Sequence, residues 1–240
     1  MRERANELSE RGYTVFPSHV ANAVTTELGS ALRALRDELG GPPLYSEADL
    51  VVADDVNVSP VGLTFFGLLG RAPGAVMEFL LEPTLLALFA EVLGPGFELE
   101  QVSAVLSDHT RPFFFWHNHV GGIDGVDHRG RNDPAPLRIE RLVCTLYAVP
   151  LDDAHGAMLV LPRRVGDATA APHTDARVPW PSAVALRAEP GSVVVLDEAC
   201  WHAVPPMTRP GERAFAAFFV RRAGLPPTVR VDASIARARA

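Results

Sequence analysis

From residue 97 onward the chain is a succession of short, apolar, β-rich segments cut by turn residues. FELEQVSAVL, RLVCTLYAVPL, GAMLVLP, SAVALRA, SVVVLD and AFAAFFVRR are separated by Asp152-Asp153, Pro162, Pro190-Gly191 and Pro205-Pro206. Proline cannot donate to a strand ladder and glycine tolerates positive φ, so these residues end strands and turn the chain. Several short strands at fairly even spacing predict a sandwich or barrel.

The first 95 residues follow a different grammar. A short helix is expected before Gly12, and then a strand at YTVF (13–16). Over Asn22–Leu39, Val24, Leu28, Ala31, Leu32, Leu35 and Leu39 recur at spacings of three and four. That spacing predicts an amphipathic helix, stopped by Gly40-Gly41-Pro42-Pro43. Residues 44–62 are turn-rich and read as a loop that could move. Ala75–Leu93 is again helical, but Pro83 divides it into two shorter helices. The 17-residue stretch Val120–Pro136 is long, polar and rich in Gly and Asp, as functional or mobile loops are.

Composition excludes several classes. At 48% hydrophobic and 21% charged residues, the 240-residue chain can fill a core and is not disordered. This length fits one domain, with the helical part (1–95) packed outside the β part (97–222). A net charge of −7 argues against nucleic acid, which demands a basic face. The basic residues are all Arg, which we read as the bias of a GC-rich bacterial genome. No apolar run approaches the roughly 20 residues of a membrane span. The charged start MRERANELSERGY lacks the apolar stretch of a signal peptide. Cys144 and Cys200 are isolated and suggest no disulfide framework. A soluble, cytoplasmic protein is the expectation; the sequence leaves its oligomeric state open.

Two segments carry chemistry. In FFFWHNHVGG (113–122), His117 and His119 sit two apart, so on a strand they face the same way and could share one ion. The aromatic run before them offers a dry wall. In EPGSVVVLDEACWHAVPPMTRPGERAFAAFFVRR (189–222), a strand ends near His202 and the next opens with Arg213, whose planar fork suits a carboxylate. Taken singly, His202 reads as a core histidine and Arg213 as a rim ion pair; together with the first segment they point to a metal pocket with a carboxylate anchor. Gln101, at the start of a core strand, could hydrogen-bond a cofactor. Thr145 and Tyr147 fall on a barrel strand and could line the pocket. Trp116 and the loop residue His128 are further candidates for substrate contact.

In order and spacing these pieces resemble the phytanoyl-CoA dioxygenase-like branch of the Fe(II)/2-oxoglutarate oxygenases. RGYTVFPSHV resembles that family's opening strand, and WHNH stands where its WHxD metal motif does. LYAVPLDDAHGAMLVLPRRV resembles the segment closing on its "l-P-G-S-H" stretch, and PGSVVVLDEACWH the strand bearing its distal histidine. The eleven-residue step from His202 to Arg213 matches the family's step to its 2-oxoglutarate arginine. The resemblance implies a mainly β protein with flanking helices, a double-stranded β-helix or jelly-roll of the cupin-like barrel kind. It implies Fe(II) on His117 and His202, and 2-oxoglutarate and O₂ as co-substrates with Arg213 binding the distal carboxylate. The family's spread of substrates suggests that a small, fairly apolar molecule of bacterial secondary metabolism would complete the site.

The chain departs from the family at two places. His119 stands where the motif has Asp, and Val204 replaces the hydroxyl two residues after the distal histidine. His119 as a third ligand is one reading, since neutral imidazole binds Fe(II), Zn(II) and Cu(II). A carboxylate from Asp124, Asp127, Asp197 or Glu198, or a vacant position, is a second. A third is loss of redox chemistry, leaving a non-oxidative metal enzyme of cyclase or isomerase type, or a non-catalytic binding module.

Overall fold

The computed structural model describes residues 1–119, 137–227, 231, 232 and 235. In chain order the elements begin with α1 (Arg2–Arg11), β1 (Tyr13–Phe16) and α2 (Asn22–Glu38). A meander follows, β2 (Leu50–Ala53), β3 (Val56–Ser59) and β4 (Gly62–Phe66), and then α3 (Leu68–Arg71), α4 (Pro73–Leu80) and α5 (Pro83–Leu93). The remaining strands are β5 (Glu98–Asp108), β6 (Phe114–His117), β7 (Arg141–Tyr147), β8 (Met158–Val160), β9 (Val184–Leu186), β10 (Val193–Asp197), β11 (His202–Val204) and β12 (Glu212–Arg221).

The strands form two sheets. The larger has the order β1-β10-β7-β12-β5-β4-β3-β2 and the smaller β6-β11-β8-β9. Among the described residues, every pairing between these strands is antiparallel. Two antiparallel sheets with a core between them and helices on one side fit the sandwich or barrel expected from the strand grammar, in the jelly-roll form that the resemblance implies.

β12 shows how the sequence builds both sides of the larger sheet. Ala214, Ala216, Phe218 and Val220 belong to the main apolar core. Arg213, Phe215, Ala217 and Phe219 alternate with them and line a cavity on the other face. On the core side Phe218 meets Phe79 of α4 at 4.7 Å and Phe89 of α5 at 5.6 Å between ring centroids. The expected stripe on α2 is centred where it should be, with Leu28 and Leu32 fully buried. Pro83 splits the second helical region as its missing N–H dictates. It opens α5 at N1, and the Glu82 side chain accepts from Leu85 N–H at 2.8 Å.

Residues 44–62 depart from expectation. They hold β2, β3 and the start of β4, which widen the larger sheet through the β4–β5 pairing (Leu63↔Leu106). Val56 and Val58 are buried in the core, while Asn57 and Ser59 face the cavity. That alternation is a strand signal, but short enough to be hidden by the Asp54-Asp55 turn. No helix among the described residues is long and apolar enough to cross a membrane.

Candidate metal centre

The smaller sheet positions the histidines. His202 of β11 is the direct cross-strand partner of His117 of β6, and their ring centroids lie 4.1 Å apart. Two residues beyond His117, the backbone N–H of His119 donates to the Glu198 carbonyl at 2.8 Å. This brings His119 Nε2 to 3.3 Å from His202 Nε2. All three side chains are under a tenth exposed. Among the described residues they form the group able to share a metal ion, with ligand atoms within 4.8 Å of one another.

The ring orientations suit a metal. His117 Nδ1 lies 2.9 Å from the Phe115 carbonyl and His202 Nδ1 3.1 Å from the Cys200 carbonyl. A carbonyl only accepts, so each Nδ1 carries the proton and each Nε2 presents its lone pair. Burial drives the His202 imidazolium pKa down to about 4, so the ring is neutral at pH 7 and ready to ligate. Nitrogens sharing an ion at about 2.1 Å sit about 3.0–3.4 Å apart for octahedral to tetrahedral angles; the 3.3 Å between His119 and His202 matches. The donor set thus fits a divalent ion of the borderline class.

Trp116 is placed otherwise than the sequence suggests. It does not line the cavity; strand alternation turns it to the opposite face from His117. There it stacks on Trp180 (4.4 Å, 8°), and Trp180 in turn packs on Trp201, the neighbour of His202. The three indole N–H groups donate to the carbonyls of Val178, Asp175 and Thr169. The cluster therefore ties the irregular segment 169–180 to the back of the smaller sheet, and so holds the face on which His117 and His202 stand.

The cavity between the sheets has a volume of ≈780 Å³, within the range of small-molecule sites. Its lining includes the three histidines together with Gln101, Thr145, Tyr147 and Arg213. Arg213, 2% exposed, donates to the Gly156 carbonyl at 3.0 Å and the Tyr147 hydroxyl at 3.4 Å. Burial raises the Tyr147 pKa, so its hydroxyl stays protonated. His128, Asp124 and Asp127 lie outside the described residues. Asp197 is turned to Arg163 (3.2 Å) and the Ala199 N–H, and neither it nor Glu198 lines the cavity.

Several lining residues were not anticipated from the sequence. Arg111, Met158, Phe219 and the polar side chains of Asn57, Ser103 and Ser107 reach the cavity only because β3, β5, β8 and β12 surround it. The alternation of β5 placed Gln101, Ser103 and Ser107 on one face and could have flagged them; nothing local marked Arg111.

Gly156 supports this geometry. Its φ is +71°, and a Cβ there would meet the Pro205 carbonyl oxygen at 2.4 Å. Gly156→Ala is expected to lower stability by about 1–3 kcal/mol through left-handed strain and the clash. It should also shift the carbonyl that Arg213 donates to. A thermal melt read beside 2-oxoglutarate affinity checks both effects.

This architecture is shared with several solved structures. HygX from Streptomyces hygroscopicus, solved with nickel and 2-oxoglutarate bound, superposes with a TM-score of 0.70 at 15% identity, over 94% of this chain and 88% of that one. SnoK, described as a non-haem α-ketoglutarate-dependent carbocyclase from nogalamycin biosynthesis, gives 0.69 at 16%, over 99% and 90%. AviO1 from Streptomyces viridochromogenes Tue57 gives 0.63 at 17%, over 94% and 96%. No protein-family model matches the chain, and no curated protein matches it.

Proposed function

We propose that this chain is a non-haem Fe(II)- and 2-oxoglutarate-dependent oxygenase with a three-histidine metal site, acting on a small, fairly apolar molecule of bacterial secondary metabolism. The observation that carries the reading is the convergence of His117, His119 and His202 on one cavity that also holds the buried Arg213. The structures of similar fold support it, because HygX is described with iron and with nickel and 2-oxoglutarate, and SnoK as α-ketoglutarate-dependent.

In this reading His117, His119 and His202 hold the ion. When bound, Fe(II) supplies the positions at which 2-oxoglutarate chelates and oxygen is activated. Arg213 orients 2-oxoglutarate by pairing with its distal carboxylate, with the Tyr147 hydroxyl steadying the guanidinium. Gln101 and Thr145 hydrogen-bond the co-substrate, and Tyr147 also borders the substrate. Phe114, Phe115, Phe215 and Phe219 give the cavity an apolar wall that limits water. Three neutral imidazoles leave the ion one negative charge short of a two-histidine-one-carboxylate set, which raises the reduction potential of the iron.

The test is an anaerobic titration of the metal-free protein with Fe(II), then 2-oxoglutarate, followed by visible absorption. A metal-to-ligand charge-transfer band is expected in the wild type. Arg213→Met is expected to weaken 2-oxoglutarate binding at least about tenfold, since a buried charge-assisted contact is lost. Metal bound without a band would favour a non-oxidative metal enzyme; no metal bound would favour a binding module.

A further inference from the structure

We infer that Arg111 is a recognition group for an anion on the substrate, so that the molecule entering this cavity carries a carboxylate-like group besides its apolar body. The inference rests on the metal and 2-oxoglutarate reading above.

Arg111 comes from the turn between β5 and β6, lines the same cavity as Arg213, and is 2% exposed. Its Nη1 donates to the carbonyls of Pro112 (3.0 Å) and Val204 (3.2 Å), and its Nη2 to that of Pro205 (3.0 Å). The acceptors of Arg213 are also uncharged. No described carboxylate forms an ion pair with either. Carbonyl dipoles orient a guanidinium but leave its charge in place, and a buried charge without a counter-charge is unfavourable. The two cations feel one another: burial first, and Arg213 second, draw the Arg111 pKa down to about 9. It nevertheless stays protonated at neutral pH.

The charges can be summed. A divalent ion on three neutral histidines, with Arg111 and Arg213, gives four positive charges in one cavity. 2-Oxoglutarate supplies two negative ones. A two-histidine-one-carboxylate site with Arg213 alone would close at zero; counted over the described residues that converge at its centre, this one keeps two positive charges in surplus. The described carboxylates of the lining, Glu47 and Asp49, are exposed, and Glu47 is already paired with Arg177 at 3.2 Å. Arg213 suffices for the distal carboxylate of the co-substrate, so among the described residues the cation left unmatched is Arg111. An anionic group on the substrate would meet it while the apolar body lies on Phe114, Phe115 and Phe215.

The test uses the full chain loaded with Ni(II) and saturating 2-oxoglutarate, with benzoate and its neutral isostere benzamide as calorimetric probes. Benzoate is expected to bind about tenfold or more tighter than benzamide. Arg111→Met should erase that preference while keeping the 2-oxoglutarate charge-transfer band of the Fe(II) form, and Arg111→Lys should keep part of it. Equal affinities for the two probes in the wild type would overturn the inference, whether or not Arg111→Met folds. So would a preference that survives in Arg111→Met, or benzoate that binds only by displacing 2-oxoglutarate. Loss of 2-oxoglutarate from Arg111→Met would assign the arginine to the co-substrate and overturn it too. A wild type without a charge-transfer band would sink the oxygenase reading instead, and is distinguished by that spectrum.

Discussion

His202→Ala is expected to lower the affinity of the protein for Fe(II) or Ni(II) by more than about 100-fold, because the loss of outer-shell partners alone already costs such sites 10–100-fold. His202 is the hinge of the set. It is the register partner of His117 and stands 3.3 Å from His119 through its Nε2. Its tautomer is fixed by the Cys200 carbonyl, so the ring arrives with its lone pair already aimed. His119→Ala is expected to cause a loss of similar order, which separates a three-histidine site from one completed by a carboxylate elsewhere. A small effect of His119→Ala beside a large effect of His202→Ala would remove His119 from the ligand set. His119→Asp would restore a two-histidine-one-carboxylate set and is expected to keep metal affinity, with a shifted 2-oxoglutarate charge-transfer band. Anaerobic calorimetry with each variant gives the affinities, and circular dichroism shows that the fold persists.

Glu100→Ala is expected to destabilise the protein by about 3 kcal/mol, because it removes from a buried ion cluster the carboxylate that two arginines share. The Glu100 side chain is fully buried, and its Oε1 receives Arg141 Nη1 at 2.6 Å and Arg221 Nη1 at 2.9 Å. These residues link β5, β7 and β12, the three central strands of the larger sheet. Arg141 and Arg221 are 13% and 11% exposed, so water reaches them only partly after the substitution. Arg221 keeps Glu98, which sets the estimate at the low end of the range for broken buried pairs. For a chain of this size the loss corresponds to a fall in Tm of about 6–12 °C. Glu98→Ala, at a partly exposed carboxylate, is expected to cost under about 1 kcal/mol. Equal losses from the two variants would show that burial of Glu100 does not govern the cluster.

The difference between the two halves of the chain explains how much was legible in advance. The apolar alternation of AFAAFFVRR and SVVVLD determined which side chains of β12 and β10 face the helices and which face inward, since strand periodicity is strictly two. The i, i+4 stripe of α2 and the break at Pro83 are equally local, for they follow from helical period and a missing N–H. His117 and His119 were placed on one face by the same counting. The strands β2 and β3 escaped notice because each is four residues long; they pair locally in a meander with β4 and join the larger sheet only through the pairing of β4 with β5.

The sequence by itself determined a two-sheet β architecture, a helical flank and the residue types of a metal pocket, because turn chemistry and hydrophobic period act within a few residues. The tertiary structure alone decided that His119 turns toward His202, that Trp116 finds Trp180 as its stacking partner, and that Arg111 shares a cavity with Arg213. Each depends on the register between strands far apart in the chain. Register is set by how whole faces pack against one another, which no local run of residues encodes.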